Sequence, residues 1–408
     1  MSLTIERLGH RGDGIAPGPV FVSLTLPGEV VEGDVSGDRI AAPRIVTPSA
    51  DRVKAPCRHF RQCGGCALQH ASDGFVAAWK ADVVRTALAA QGLEAPVRGI
   101  ATSPPASRRR AVLSARRTKS GALIGFHARA SDALVDTPDC LLLSPRIMAL
   151  RPALERLLAL GGSRKAELSV TVTETETGAD VRVTGGKPAD AAMRADLAAI
   201  GADAGLARLT WEDEQIATHV APVVRFDGIA VVPPPGAFLQ ATAEGEAALR
   251  RSVAEAVGDA ARVVDLFAGC GTFSLPLARG AEVLAVEAED AMLHALDAGW
   301  RRATGLRRVT TLRRDLFRQP LLAAELQGFG AAVIDPPRAG AAAQVQALAG
   351  ASIPRIAFVS CNPVTFARDA RTLVDAGFGL DWIDVVDQFR WSPHVELAAQ
   401  FTRGHMPV

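Results

Sequence analysis

A cysteine stands where an apolar run stops. Ile356-Ala357-Phe358-Val359-Ser360 has the length of a buried strand, and Cys361-Asn362-Pro363 follows it directly. A lone cysteine is more often inert packing than a reagent. Its place at a strand end, ahead of Asn-Pro, reverses that weighting, because ligands of open α/β sheets sit at the carboxyl ends of strands. A thiolate there can add to an electron-poor carbon and open a covalent route. Asp335-Pro336-Pro337-Arg338 ends the preceding strand candidate in the same way, so both segments point at one crevice. Chemistry of this kind also needs a base. Glu396 is the candidate: it lies alone in the apolar stretch Pro393-His394-Val395-Glu396-Leu397, and a lone buried carboxylate tends toward a raised pKa. The plain alternative is an exposed glutamate on an edge strand. His394 reads as a packing or hydrogen-bonding residue.

Upstream lies a loop that can hold a nucleoside. Asp265-Leu266-Phe267-Ala268-Gly269-Cys270-Gly271-Thr272-Phe273 ends one strand candidate and opens a helix. Glycines there let a ligand approach the backbone. Glu287 ends the next strand candidate, where its carboxylate can accept from both hydroxyls of a ribose. A dinucleotide site wants a third glycine near position 274, where Ser274 stands. A single G-x-G followed by an acid suits S-adenosylmethionine better, with a nucleotide cofactor and a plain structural turn as the alternatives. Asp315, after the third strand candidate, holds an adenine amino group or caps a helix. Cys270 reads as a small loop residue.

Cys57, Cys63 and Cys66 follow a C-x5-C-x2-C spacing, and Cys140 can complete a set of four. Four thiolates suit zinc or an iron–sulfur cluster, and spacing does not choose between them. Gly64 and Gly65 keep the loop narrow, so backbone N–H groups can approach sulfur. Residues 95–131 contain no acid and carry Arg98, Arg108, Arg109, Arg110, Arg116, Arg117, Lys119 and Arg129. The Arg108 to Lys119 block is expected to face phosphate, the alternative being an ordinary solvated face.

The elements that must position these groups fall into three stretches. Residues 1–56 hold short strand-like runs broken by Gly and Pro, which suggests a small barrel of the OB type. Six Lys and Arg against seven Asp and Glu give that module no electrostatic grip of its own. Residues 57–235 hold the cysteines, a helix expected over 75–88 and strand alternation over 166–232, closed by Pro233-Pro234-Pro235-Gly236. Residues 236–408 alternate helical patterns with short buried strands at 262–267, 282–287, 308–313, 331–335 and 356–360, the pattern of a doubly wound α/β sheet.

Composition sets limits on all three. With 48% hydrophobic and 22% charged residues the chain is globular, and 408 residues suit two or three domains. The formal charge is +1, so any hold on nucleic acid must come from local clustering. Tyrosine is absent, which excludes tyrosine catalysis. The N-terminus lacks an apolar core and no run of 18 apolar residues occurs, so neither a signal peptide nor a membrane span is expected. The expected setting is the cytoplasm, where a disulfide framework is disfavoured.

Taken together, these segments resemble the RNA uracil-carbon-5 methyltransferase family. The resemblance rests on the loop 265–273, on Asp335-Pro336-Pro337-Arg338-Ala339-Gly340, on Ser360-Cys361-Asn362-Pro363, on His394-Val395-Glu396 and on Ala237-Phe238-Leu239-Gln240. It covers nearly the whole chain. It implies a Rossmann-like class I methyltransferase domain at 236–408, a TRAM/OB-like β-barrel at 1–56 and a central α+β domain at 57–235 bearing a cluster. It implies Cys361 as nucleophile toward carbon 6 of a uracil and Glu396 as the base that clears the proton from carbon 5. Gln240, Phe267, Thr272, Glu287, Asp315 and Asp335 would contact S-adenosylmethionine or the target base, and Phe238 would stack on a displaced base or pack in the core. A [4Fe–4S] cluster would sit on Cys57, Cys63, Cys66 and Cys140, with zinc as the alternative. The cluster pattern and the Ala-Gly after Asp-Pro-Pro-Arg favour 23S ribosomal RNA over transfer RNA as partner, acted on by a monomer. The chain departs from the family at Ala268, usually Cys, and at Thr272, usually Asn. A rival from another class is an iron–sulfur oxidoreductase with a nucleotide cofactor, which would leave Cys361 idle.

Overall fold

The computed structural model describes residues 2–119 and 121–404. Two small sheets open the chain. Ser2–Thr4, Val30–Glu32 and Arg44–Thr47 form one; Arg7–Leu8, Gly14–Ala16, Val20–Val22 and Arg39–Ile40 form the other. Leu3, Ile5, Ala16, Val22, Val31 and Ile40 close a single core between them. This is the small β module expected from the Gly and Pro punctuation.

A seven-stranded sheet follows, in the order Leu134–Asp136, Ala122–His127, Arg110–Arg117, Leu168–Thr175, Gly178–Thr184, Leu206–Trp211, Glu214–Thr218. Helices Arg151–Gly161 and Ala191–Asp203 cover its apolar face, with Leu154, Leu157, Val170, Val181 and Leu197 in the shared core. Trp211 lies flat in that core and donates its indole N–H to Lys187 O at 2.8 Å. A Cβ at Gly161 would sit 2.2 Å from its ring, so only glycine fits beside it.

The eight-stranded sheet carries the chemistry. Its order is Val309–Arg313, Glu282–Glu287, Arg262–Leu266, Ala331–Ile334, Arg355–Ser360, Glu396–Arg403, Phe378–Asp387, Val97–Thr102. The first five run parallel, as the near-continuous apolar runs predict. Glu396–Arg403 is inserted antiparallel between Arg355–Ser360 and Phe378–Asp387. The chain order reverses between Arg262–Leu266 and Ala331–Ile334, which opens a crevice at the carboxyl ends of those two strands.

One part of the chain lies elsewhere than its sequence neighbours suggest. Helix Asp73–Ala89 and strand Val97–Thr102 come from the stretch assigned above to the central domain. The strand pairs with Phe378–Asp387, and Val84 and Leu88 of the helix join the core of the eight-stranded sheet. Among the described residues no helix is long and apolar enough to cross a membrane.

Lys80 fixes that helix in place. Its Nζ lies 2.5 Å from Asp387 Oδ1, and both side chains are closed to solvent. Burial pushes the Lys80 pKa down and the Asp387 pKa up, and each partner's charge opposes the other's shift. Removing one member of a buried pair leaves an uncompensated charge. Lys80→Met should lower the unfolding free energy by about 3 kcal/mol in urea denaturation. The double variant with Asp387→Leu should recover most of that loss; an equal loss in both would mean that the pair holds nothing together.

Candidate active site

One cavity of about 940 Å³ opens at the crevice. It reaches the upper end of the roughly 300–1,000 Å³ range of small-molecule sites. Cys361, Glu396, Gln240, Phe267, Thr272, Glu287, Asp315 and Asp335 all line it. Residues far apart in sequence are thus brought to one place.

Two strand ends supply the reacting groups. Asn362 caps helix Pro363–Asp375 by accepting from Val364 N at 3.1 Å, and its Nδ2 donates to Arg338 O at 2.9 Å. The loop after Asp335 and the loop after Ser360 are thereby tied together. Cys361 stands half-buried between them. Burial pushes its thiol up to about 11, and the Glu396 and Asp335 carboxylates push in the same direction, while Arg338 favours the thiolate. Glu396 is not the exposed edge residue of the alternative reading. It opens an interior strand and is 3% exposed. Burial, and then Asp335, raise its pKa well above the ordinary carboxylate range. Asp335 is pushed up to about 7 by burial and then by Asp265.

The glycine loop forms the other half of the cavity. Gly269 N donates to Glu287 Oε2 at 3.0 Å, which locks the loop to the end of the next strand. Phe267 holds a left-handed φ of 65°, uncommon for a bulky residue and the kind of strain that gathers at functional sites. Its ring lies 5.5 Å from that of Phe317, which is exposed at the cavity rim. No helix follows Asp315; the chain makes a turn there. Asp315 Oδ1 caps the turn at Phe317 N, 3.0 Å away, and the residue also lines the cavity. Cys270 is buried, and burial pushes its thiol up to about 12, which disfavours the thiolate.

The basic stretch behaves differently from a uniform charged face. Arg98 pairs with Glu255 and Asp384, and Arg109 with Glu246. Arg129 donates to Cys66 O. Only Arg108 and Arg110 reach the cavity, where their guanidinium groups lie 5.8 Å from the Phe389 ring and 5.6 Å from the Phe238 ring. Phe238 is exposed there, not packed in the core.

Cys57, Cys66 and Cys140 share a small apolar cluster with Phe60, Leu142 and Trp391. Burial pushes Cys63, Cys140 and Cys66 up, Cys66 to about 12, and the neighbouring thiols add to each shift. Gly65 N donates to Cys63 Sγ at 3.4 Å. Among the described residues no group of three or more His, Cys, Asp or Glu side chains is gathered so as to hold a metal ion.

Two buried polar residues beside the site have no role assigned from the sequence. Gln388 is 3% exposed and donates from Nε2 both to Glu396 Oε2 and, at 2.5 Å, to Gln240 Oε1. Asp265 is fully buried and accepts from Ser274 Oγ at 2.5 Å beneath the glycine loop. The polar pair Asp387-Gln388 closing an apolar strand was the one local signal for Gln388.

Several known proteins are similar to this chain. The tRNA (Uracil-5-)-methyltransferase family model matches residues 233–403. RNA methyltransferases of Caulobacter vibrioides and Rhizobium meliloti are 46% and 43% identical, each over 98% of this chain and 99% and 98% of their own. The 23S rRNA (uracil(1939)-C(5))-methyltransferase RlmD of Halomonas elongata is 34% identical over 97% of this chain and 88% of its own. In fold, the chain is similar to the Pyrococcus abyssi tRNA (uracil-54, C5)-methyltransferase solved with S-adenosyl-L-homocysteine. That TM-score is 0.78 at 22% identity, covering 98% of this chain and 99% of the other. The chain belongs to the RNA uracil-carbon-5 methyltransferase family, enzymes that draw their methyl group from S-adenosylmethionine.

Proposed function

We propose that this enzyme methylates carbon 5 of a uridine in 23S ribosomal RNA through a covalent Cys361–uracil intermediate. The observation that carries the reading is the meeting of Cys361, Asp335 and Glu396 in one cavity with the glycine loop and Glu287. Cys361, as its thiolate, adds through Sγ to carbon 6, sending an electron pair toward carbon 5 and oxygen 4. Phe267, Thr272, Glu287 and Asp315 would hold S-adenosylmethionine, whose sulfonium methyl carbon 5 would take up while the sulfur keeps the bonding pair and leaves as S-adenosylhomocysteine. Glu396 then removes the proton from carbon 5. The freed pair restores the carbon 5–carbon 6 double bond and expels the Cys361 thiolate. Gln240 and Asp335 hold the base, and Phe238 and Arg110 flank the path by which an unstacked base enters. Ribosomal RNA is favoured by the Halomonas relative, which spans nearly the whole chain. The reaction belongs in the cytoplasm, where Cys361 stays reduced.

Cys57, Cys63, Cys66 and Cys140 suit a [4Fe–4S] cluster in a structural role. Three thiols pushed up by burial, Cys63, Cys66 and Cys140, and an N–H directed at the Cys63 sulfur are the chemistry such a group satisfies. Gly64, Gly65 and Leu142 of the two cysteine loops line the cavity, so the cluster would brace the wall where RNA enters.

Incubation with labelled S-adenosylmethionine and undermodified 23S RNA should yield 5-methyluridine on nucleoside analysis. Label on transfer RNA alone would reassign the substrate, and no 5-methyluridine on either RNA would defeat the reading. Cys361→Ala should abolish turnover and adduct alike. Glu396→Gln should slow turnover roughly a hundred- to ten-thousand-fold and accumulate the protein–RNA adduct; normal turnover would place the base elsewhere. Anaerobic preparations should contain about four iron and four sulfide per chain, whereas stoichiometric zinc without iron would exclude the cluster.

A further inference from the structure

Gln388 stands where three segments of the chain meet. It follows strand Phe378–Asp387, faces the start of Glu396–Arg403 and touches the entry to helix Ala243–Val257. Its Oε1 accepts from Ala241 N at 2.7 Å, which fixes the orientation of its amide. Nε2 therefore points the other way, and an amide nitrogen carries two hydrogens. One goes to Glu396 Oε2 and the other to Gln240 Oε1. With its own carbonyl oxygen engaged, Gln240 turns Nε2 toward Asp335 Oδ2 at 3.5 Å. One backbone N–H thus sets the direction of the hydrogen bonds that run from Gln388 to Glu396 and, through Gln240, to Asp335. The packing leaves little freedom: a Cβ at Gly245 would come within 2.7 Å of Gln388 Cβ.

We infer that Gln388 is a positioning residue: by donating to Glu396 and Gln240 together, it keeps Glu396 ready to accept a proton and aims the amide of Gln240 at Asp335. The inference rests on the reading of Glu396 as the base. The other titratable groups facing Glu396 are Asp335 and Cys361, at the ends of Ala331–Ile334 and Arg355–Ser360. Neither stabilises a negative charge on it. On the segment of Gln388 itself, Asp387 is engaged by Lys80 and Arg390 by Asp73, both on helix Asp73–Ala89. The N–H of Gln388 is then the group that favours the ionised carboxylate. Its loss raises the pKa of Glu396 further. A base works only when ionised, so the step it serves fails as pH falls through that pKa. A higher pKa moves the failure to higher pH.

Gln388→Met keeps the length and removes both donors. In single-turnover experiments it should slow adduct breakdown about tenfold at pH 7 and move the ascending limb of the pH profile up by about one unit. Adduct formation should change less. Infrared titration of the free protein, with Glu396→Gln as the blank, should show the Glu396 carboxyl titrating at higher pH in Gln388→Met. An unchanged titration and an unchanged pH limb would overturn the inference. A shifted titration with unchanged adduct breakdown would uphold the effect on Glu396 and overturn its role as the base. Should Gln388→Met not fold, Gly245→Ala displaces Gln388 without altering its chemistry and should shift the same titration in the same direction; no shift there overturns the inference equally.

Discussion

Burying one carboxyl group beside another disfavours the charge on both. Glu396, Asp335 and the Cys361 thiol meet under that constraint, and burial is the largest influence on each. Such a group persists only where donors reach it. The donors here are two glutamine amides, from the segment before helix Ala243–Val257 and from the end of strand Phe378–Asp387. Much of the remaining structure keeps those two segments at the same place. Arg109 donates to Gln240 O at 3.3 Å and pairs with Glu246, fastening the central sheet to the first segment. Lys80 and Asp73 fasten helix Asp73–Ala89 to the second.

The register of one antiparallel strand explains why the groups meet at all. In a parallel sheet every strand ends on the same side, so strand starts lie far from the crevice. Glu396–Arg403 runs against its neighbours, and its start lies beside their ends. Ser360 stands opposite Leu397, and Val386 opposite Glu396. Cys361 follows Ser360, Gln388 lies two residues beyond Val386, and Glu396 is the first residue of the inserted strand. A shift of one residue would turn Glu396 to the other face of the sheet.

Much of this was legible in the sequence because its signals are local. The strands ending at Leu266, Glu287, Ile334 and Ser360 are short apolar runs that stop at polar or glycine-rich turns, and burial on both faces requires that composition. Glu396 stood out as the one acid in an apolar stretch. What stayed hidden depends on distant partners. Nothing near residues 73–102 states that they pair with Phe378–Asp387, since a parallel pairing across such a separation leaves no turn to read. Arg98, Arg108, Arg109 and Arg110 look alike in sequence. Only Glu255, Asp384 and Glu246, supplied by the fold, decide which of them remain free. Gln388 is an uncharged polar residue in a loop, and its role exists only through Ala241, Gln240 and Glu396.

That sorting of arginines bears on how an RNA is chosen. Of the guanidinium groups lining the cavity, Arg314 and Arg390 are paired with Glu325 and Asp73, while Arg108, Arg110 and Arg338 form no ion pair among the described residues. With a chain charge of +1 the molecule as a whole exerts no net attraction on RNA. Discrimination then falls on contacts that only a displaced nucleotide can make. Phe238 and Phe317 are exposed at the rim, where aromatic faces suit stacking of any base. Below them the Gln240 amide and the Asp335 carboxyl offer paired polar atoms, the feature that separates one base edge from another.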